Sequence, residues 1–551
     1  MVALLETVPL ARRTFIAGAA AVAAHPAPAL AYGAHPLENT LADDLARLGA
    51  LYATPGIAIA LLRRGRPTRF LTSGTGSTTA LTRVSEHTAF QVGSISKLAT
   101  ALITLRLVDA GRIGFHDPVA RHLRRWKLPA SEFRTESVTI GRLLSHSAGI
   151  SVRGYFPGVP YPGAVPGLID SMAGHTAENE RVVLASAPGS HFAYSGGGYS
   201  ILQLALEDLT GLALNDLAHR VLFAPLGLKE TSFAYDGVLR SGGARPHDLT
   251  GRAMPVRVFP NMAAGGLSST AADLAILLDA AFGDTERHRT LLSPASRALL
   301  ATPMAPPSPP RARPGFSQAM LAPETGSDPA AFRYGPGVAI AQRSDGRLIA
   351  GHGGSNAGWK ASVQYAPETG EGIVVLTNGE AGNGAILSIV SRWRAWLDAT
   401  ASGPAGGSDS AAPLDHAAMA AAVAFARKGA SAAADTIGMA ARAQDRWFVS
   451  DRSANEAFGQ IQSFAAFQGW SAPDAEAAAV PLARAGAAAF PRSAFAQTAY
   501  ALALARSGSM AEARQQLTSA EALDADPESR QMSAETRQLL GMAKQDEGDR
   551  K

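Results

Sequence analysis

Two side chains suited to acyl transfer, Ser94 and Lys97, lie three residues apart. They open a run from Ser94 to Ala110 that is rich in leucine, isoleucine and alanine, which predicts a buried helix ended by Gly111. Residues three apart share one face of a helix, so the hydroxyl and the amine can meet. A lysine in such an apolar helix loses hydration, which favours its neutral, proton-accepting form. The spacing therefore predicts a serine nucleophile with a lysine base.

Two later segments turn this short motif into a family resemblance. The first is Tyr194-Ser195-Gly196, and the second is Gly351-His352-Gly353-Gly354-Ser355, followed by Trp359. With Ser94 and Lys97 before them, they resemble the serine β-lactamase and penicillin-binding-protein-like hydrolases, a group that includes class C β-lactamase-like and S12-type serine peptidases and esterases. The resemblance covers about residues 38–398.

The resemblance implies a role for each of these residues. Ser94, Lys97, Tyr194 and His352 form the implied catalytic set, in which the Tyr194 phenol helps to move the proton between nucleophile and leaving group. The backbone N–H groups of Ser94 and Ser355 are the implied oxyanion hole. The chemistry of the third segment agrees, because glycines at 353 and 354 let a substrate approach a strand closely and His352 can donate to a carbonyl or carboxylate. The alternatives for His352 are a structural histidine hydrogen-bonded at a strand end and a metal ligand.

The chain departs from the family at Gly196, where the family usually has asparagine. That amide would contact the lysine and the substrate amide, so its loss weakens the case for efficient β-lactam hydrolysis or carboxypeptidase activity. Ser195 is a candidate partial substitute. Trp359 is a candidate for the entrance of the site, with a packed core position as the alternative.

Two further segments resemble architectural elements of the family. They are Leu143-Leu144-Ser145-His146-Ser147-Ala148-Gly149 and Ala264-Gly265-Gly266-Leu267-Ser268-Ser269-Thr270. We assign both to the framework of the site and neither to its chemistry.

Composition and motifs exclude several other classes of protein. The chain has no cysteine, which removes a cysteine nucleophile, a disulfide framework and a thiolate metal site. It has no HExxH motif, so no metal is predicted. The α/β-hydrolase motif Gly-x-Ser-x-Gly is not met around Ser147, because Ser145 stands at the position of its first glycine. A formal net charge of +4 with 17% charged residues gives no basic field for nucleic acid.

The N-terminus has the features of an export signal. Arg12 and Arg13 precede an alanine-rich apolar run that reaches Ala31. We expect residues 1–31 to be a twin-arginine-type signal peptide and the protein to be periplasmic or secreted. That run is too short for a membrane span, and no later segment contains an uninterrupted apolar run of the required length.

Strand and helix patterns predict the domain organisation. A hairpin follows Gly56, strand patterns return between Val338 and Leu376, and a helical insertion separates them. We expect an α/β (α+β) β-lactamase-like fold, in which an antiparallel sheet is flanked by helices beside an all-α region. Residues 399–413 have the composition of a linker, and residues 414–551 predict a separate α-helical domain. Within it, Ala494 to Pro527 resembles a tetratricopeptide-like helix pair.

Together these patterns favour a serine hydrolase that forms an acyl-enzyme at Ser94 and needs no cofactor. We favour a peptidase or amidase acting on small or linear peptides, including peptides with D or non-standard residues. A carboxylesterase of the same family is the closest alternative. A non-catalytic penicillin-binding-like receptor is the other, and in that case the C-terminal helices would recruit a protein partner.

Overall fold

A computed structural model describes most of the 551 residues of the chain. The described ranges are 36–155, 158–174, 181–239, 242–306, 332–342, 346–401, 415–444, 446–468 and 475–542. The predicted signal peptide at 1–31 lies outside them, as do residues 402–413 of the predicted linker. Within these ranges, no helix combines the length and the hydropathy that a membrane span requires.

The strands form one large sheet and three short pairs. In chain order they are β1 (Gly56–Arg63), β2 (Arg66–Gly74), β3 (Phe90–Gln91), β4 (Val159–Pro160), β5 (Arg257–Val258), β6 (Ser268–Ser269), β7 (Phe332–Gly335), β8 (Val338–Gln342), β9 (Leu348–Asn356), β10 (Trp359–Ala366), β11 (Glu371–Thr377), β12 (Asp415–His416) and β13 (Trp447–Phe448). The large sheet is antiparallel, with strand order β2-β1-β11-β10-β9-β8-β7.

Helices cover both faces of this sheet and form the C-terminal region. They are α1 (Pro36–Leu51), α2 (Ser96–Asp109), α3 (Ile140–Leu144), α4 (Leu168–Met172), α5 (Gly196–Thr210), α6 (Leu214–Ala218), α7 (Ala224–Leu226), α8 (Tyr235–Val238), α9 (Met262–Gly265), α10 (Ala271–Phe282), α11 (Glu286–Leu291), α12 (Pro294–Ala301), α13 (Gly382–Ala401), α14 (Ala417–Lys428), α15 (Ala430–Arg442), α16 (Ser453–Gln468), α17 (Ala479–Ala489), α18 (Ala494–Arg506), α19 (Met510–Glu521) and α20 (Pro527–Leu539).

Strand β1 shows how the sheet is buried on both faces. Its side chains alternate between two cores, because successive residues of a strand point to opposite faces. Ala58, Ala60 and Leu62 pack into the core that contains α2 and α5. Ile57, Ile59 and Leu61 pack into the core that contains α1 and α13. Since β1 also pairs with β11, the two ends of the catalytic region build one sheet, and the predicted fold class is confirmed.

The C-terminal region begins with a helix that belongs to two cores at once. Met419, Ala420 and Val423 of α14 pack against the core of α1 and α13. The other face of α14 packs against α15 to α17 through a separate cluster of small residues. Helix α13 continues through Ala401, so the first three residues of the predicted linker are helical. Helix α14 is therefore docked on the core of α1 and α13.

Candidate active site

Ser94 lies where a short 3₁₀ turn, Gly93–Ile95, leads into α2. Gly93 has φ +49°, in the left-handed region that favours glycine. The Ser96 hydroxyl fixes this turn, because it donates to the Gly93 carbonyl at 2.6 Å and accepts from the Leu267 amide at 2.9 Å. Ser94 itself is partly accessible and lines a cavity. The turn thus presents the hydroxyl at the N-terminal end of a buried helix.

Lys97 follows one turn later and is buried, with 2% of its surface exposed. Its Nζ lies 3.1 Å from Ser94 Oγ and donates to the Ala264 carbonyl at 2.5 Å. Within the described part of the chain it makes no ion pair, so burial lowers the pKa of Lys97 to about 7. The amine is therefore available in its neutral form near pH 7. The segment at Ala264, which we assigned to the framework, also orients this base.

The edge of β9 lies directly beside the serine. Strand β8 pairs with β9 only as far as Gly351, so the rest of β9 extends past its neighbour on that side. A Cβ on Gly354 would lie 1.9 Å from the Val92 carbonyl oxygen, and a Cβ on Gly93 would lie 2.5 Å from the Ser355 amide nitrogen. Both positions must be glycine for the strand and the 3₁₀ turn to approach this closely. Gly353, Gly354 and Ser355 line the same cavity as Ser94.

Tyr194 lies over the lysine, with its ring centroid 4.8 Å from Lys97 Nζ. Its phenol oxygen is buried and makes no hydrogen bond within the described residues. Burial raises the pKa of Tyr194, an effect that the Ser94 hydroxyl and the Arg153 charge partly oppose. The phenol therefore keeps its proton near neutral pH and has an unused hydrogen-bonding position beside the serine.

A cluster of aromatic rings holds Tyr194 in place. The His146 ring lies 4.2 Å from the Tyr194 ring and 4.8 Å from the Tyr334 ring, measured between centroids. His146 Nδ1 also accepts from the Ser195 amide at 3.0 Å, which fixes the backbone next to Tyr194. Burial and the Lys97 charge lower the pKa of His146, so its ring is neutral. These contacts are consistent with the architectural role expected for the His146 segment.

The structure places His352 differently from the expectation of a substrate donor. Its side chain is fully buried behind Tyr194 and does not line the cavity. Nε2 lies 2.7 Å from the Tyr334 hydroxyl and Nδ1 lies 2.6 Å from the Gly353 carbonyl. Burial, with the Lys97 charge, lowers the pKa of His352 to about 3. Both ring nitrogens are engaged inside the protein, so this geometry supports positioning of β9 rather than contact with substrate.

Two other predicted binding residues also lie away from the cavity. Ser195 caps α5: its hydroxyl accepts from the Gly198 amide at 2.9 Å and donates to the Ser151 carbonyl at 2.7 Å. Those bonds occupy the group that was expected to substitute for the missing amide. Trp359 is 1% exposed and packs edge-to-face on Phe90 at 6.0 Å. It is a core residue, because the strand turns its side chain inward.

The cavity in front of Ser94 has a volume of about 330 Å³. Several of its lining residues belong to no short motif and could not be found from the sequence: Arg153, Gly154, Tyr155, Phe259 and Asn356. The first three lie beside Gly196, where the family's asparagine would stand. A Cβ on Gly196 would lie 3.3 Å from both the Arg153 carbonyl oxygen and the Tyr155 ring. Gly196 itself lines the cavity, so the departure from the family pattern is at the site.

The arrangement of Ser94, Lys97 and Tyr194 around the cavity is typical of one class of chemistry. A serine at a helix N-terminus, a buried lysine of lowered pKa and a buried tyrosine face one cavity, which is the equipment for acyl transfer through a serine ester. No group of three or more carboxylate or histidine side chains within the described ranges could hold a metal ion. The class is that of the lysine-activated serine hydrolases.

Comparison with known proteins identifies the family. The profile of the Beta-lactamase family matches residues 41–389, more than half of the chain, so the chain belongs to this family, whose members are serine hydrolases. Penicillin-binding protein 4 of Amycolatopsis lactamdurans is 29% identical over 337 residues, which cover 59% of this chain and 81% of that protein. Protein flp of Staphylococcus aureus is 25% identical over 209 residues, which cover 36% of this chain and 38% of flp.

Solved structures share the fold. A penicillin-binding protein homologue from Pyrococcus abyssi has a TM-score of 0.53 and 24% identity, and covers 65% of this chain and 77% of its own. A D-amino acid amidase from Ochrobactrum anthropi has a TM-score of 0.50 and 20% identity, and covers 66% of this chain and 98% of its own. The family match over residues 41–389 confirms the resemblance to the serine β-lactamase and penicillin-binding-protein-like hydrolases.

Proposed function

We propose that this protein is an amidase or peptidase that forms an acyl-enzyme at Ser94 and cleaves small or linear peptides, including those with D or non-standard residues. The observation that carries the proposal is the pair of Ser94 and Lys97. The Lys97 amine lies 3.1 Å from the hydroxyl, and burial lowers its pKa to about 7. Such an amine can accept a proton near neutral pH, which is what an unactivated serine requires.

In the proposed reaction, Lys97 and Tyr194 carry a proton away from Ser94 during acylation and back to it during deacylation. Ser94 Oγ attacks the substrate carbonyl carbon while its proton passes to the neutral Lys97 amine. The Tyr194 phenol, beside both groups, then relays a proton to the leaving nitrogen as the C–N bond breaks. Water attacks the resulting ester, gives its proton to the same relay, and restores Ser94 with release of the acid. The amides of Ser94 and Ser355 are the proposed donors to the oxyanion.

Labelling with a fluorophosphonate probe tests the nucleophile. We expect one labelled site in the full chain, loss of that label in Ser94→Ala, and strongly reduced labelling in Lys97→Met. An unlabelled wild-type protein would contradict catalysis and favour the receptor alternative. A labelled penicillin is a useful second probe, because one relative is named a penicillin-binding protein. Covalent labelling of Ser94 by both probes, as a phosphonyl ester and as an acyl ester, would support the same nucleophile.

A carboxylesterase is the second candidate, and Gly196 favours it. Gly196 lines the cavity and has no side chain, so no side-chain amide at this position contacts the amide of a substrate. An ester substrate lacks that amide and loses nothing. We would compare turnover of D-alanyl and L-peptide amides with that of p-nitrophenyl esters, using Ser94→Ala as the blank. Ester turnover without amide turnover would overturn the amidase proposal.

We also propose that the protein is exported through the arginine pair at Arg12 and Arg13. The proposal rests on the sequence pattern at residues 1–31. Replacing both arginines by lysine keeps the charge but removes the pair. We expect the variant to accumulate inside the cell, whereas the natural chain is recovered in the periplasmic or culture fraction. Equal export of both chains would contradict the proposal.

A further inference from the structure

The charges that face the active-site cavity are of one sign. Among the described residues that line it, none is an aspartate or a glutamate, and the two that carry a basic group are Lys97 and Arg153. Lys97 is buried, and its lowered pKa leaves much of it neutral near pH 7. Arginine stays protonated at any ordinary pH. Arg153 is therefore the permanent positive charge of this cavity.

The backbone that carries Arg153 is fixed to the start of α5. The Arg153 carbonyl accepts from the Gly196 amide at 3.2 Å, and the preceding Val152 carbonyl accepts from the Gly197 amide at 3.0 Å. Two residues before Arg153, the Ser151 carbonyl accepts from the Ser195 hydroxyl at 2.7 Å. These bonds attach the loop to the helix that follows Tyr194. The position of Arg153 relative to the reacting groups is thus set by the fold.

The Arg153 side chain has no internal partner. It is exposed and lines the cavity, and its guanidinium makes no hydrogen bond or ion pair with any residue in the described part of the chain. Two other arginines differ in this respect, because Arg142 donates to the Ser137 carbonyl and Arg257 donates to the Gly158 carbonyl. Five N–H donors in a planar fork are left for a group that enters the cavity.

The same side chain lies within electrostatic reach of the reaction centre. Its charge lowers the pKa of the Tyr194 phenol, against the larger effect of burial. The cavity is small, about 330 Å³, and it contains Ser94 together with Arg153. A substrate whose carbonyl carbon is in contact with Ser94 therefore places its neighbouring groups in the same small cavity as the guanidinium. Carboxylates match that fork in charge and shape and can bind it through two hydrogen bonds.

We propose that Arg153 binds a carboxylate of the substrate, so that the site selects acidic amides or esters over neutral ones. The inference deepens the proposed function, because it assumes that substrates are acylated at Ser94. A carboxylate on the acyl part of the substrate and one on the leaving part could each bind the guanidinium in the same way. The experiment shows which part carries it.

Hydrolysis of matched substrates provides the test. On the acyl side, mono-p-nitrophenyl glutarate is compared with p-nitrophenyl butyrate; on the leaving side, a peptide with a free C-terminus is compared with its C-terminal amide. For the pair that is selected, we expect Arg153→Ala to lose about 10–100-fold in kcat/KM on the anionic member, mainly through KM, and little on the neutral member. Arg153→Lys should keep part of the preference, and Arg153→Glu should reverse it.

Arg112→Ala is the control variant, since Arg112 is also exposed but follows the far end of α2, about 20 Å from Ser94 at 1.5 Å per helical residue. If the anionic and the neutral substrate of each pair are hydrolysed equally, and Arg153→Ala does not change this, the inference is overturned. The proposed serine hydrolase function would still stand. If the natural chain hydrolyses none of these substrates, calorimetry with glutarate shows whether carboxylate binding fails as well; the Ser94→Ala protein is used with and without Arg153→Ala. Glutarate binding that is lost with Arg153→Ala would then support carboxylate recognition and reject the proposed hydrolysis. If neither hydrolysis nor glutarate binding is found, both proposals are rejected.

Discussion

Replacing Lys97 with methionine removes the buried amine and keeps a long apolar side chain in the same place. Because burial lowers the pKa of Lys97 to about 7, acylation of Ser94 should rise about tenfold per pH unit below that value and level off above it. At pH 5 about 1% of the amine is neutral, which predicts a rate roughly 100-fold below the plateau. His352, with a pKa of about 3, contributes no step in this range.

The assay is the rate of fluorophosphonate labelling, or of p-nitrophenyl acetate hydrolysis, between pH 5 and pH 9. Lys97→Met should lower the plateau rate by at least about 100-fold and remove the pH dependence, since the base is then absent. Lys428→Met, which changes an exposed lysine of α14, is the control and should match the natural chain. A flat profile in the natural chain, or a midpoint near pH 10, would refute the assignment of Lys97 as the base.

The same pKa predicts how stability changes with pH. Between about pH 7 and 10.5 the unfolded chain holds a proton on Lys97 that the native protein has released, so native stability rises with pH across this window. The difference in unfolding free energy between natural chain and Lys97→Met should therefore shift by about 2 kcal/mol in favour of the natural chain from pH 7 to pH 9. Denaturant titrations at both pH values measure it. A constant difference would contradict the lowered pKa.

Three further predictions follow from particular contacts. Tyr194→Phe should slow acylation by about 10²–10³-fold without lowering the melting temperature, because the buried phenol oxygen makes no hydrogen bond within the described residues; a stable variant with full activity would exclude the proton relay. Gly354→Ala should lower labelling of Ser94 and lower the free energy of unfolding by about 1–3 kcal/mol, since its Cβ would meet the Val92 carbonyl. The control is Gly459→Ala, whose added Cβ would meet no atom within 4 Å beyond its chain neighbours and its own helix backbone; it should leave labelling unchanged and should not lower the free energy of unfolding. The free energy of unfolding of a chain ended at Ala401 should be about 3–5 kcal/mol lower than that of a chain ended at Lys428, because the shorter chain uncovers the surface that Met419 and Val423 bury. Equal melting temperatures would contradict the docking of α14.

Local sequence was sufficient where local geometry decides the outcome. A serine and a lysine three residues apart share a helix face wherever that helix forms, and the apolar run from Ser94 to Ala110 ensured that it would be buried. Alternation of apolar residues predicted the hairpin of β1 and β2 and the later strands. These signals depend on periods of two and 3.6 residues, which the chain itself carries.

Side chains whose surroundings come from distant segments could not be placed in this way. His352 was expected at the substrate, yet β9 turns it inward against Tyr334. Trp359 was a candidate for the entrance of the site or for the core, and packing against Phe90 decides for the core. Ser195 was a candidate partial substitute for the amide, but its hydroxyl is used as a helix cap. A residue type states what a group can bond to, whereas only packing decides which partner it meets.

The sequence by itself determined the family of this protein and the proposed nucleophile and base, because each depends on short spacings and on their order along the chain. Only the tertiary structure decided the properties of the cavity. The carbonyl that orients Lys97 comes from Ala264, far along the chain. The loop that carries Arg153 lies beside Gly196 and adds a positive charge to the cavity that contains Ser94. Such contacts join segments that no local pattern connects, so they exist only once the chain has folded.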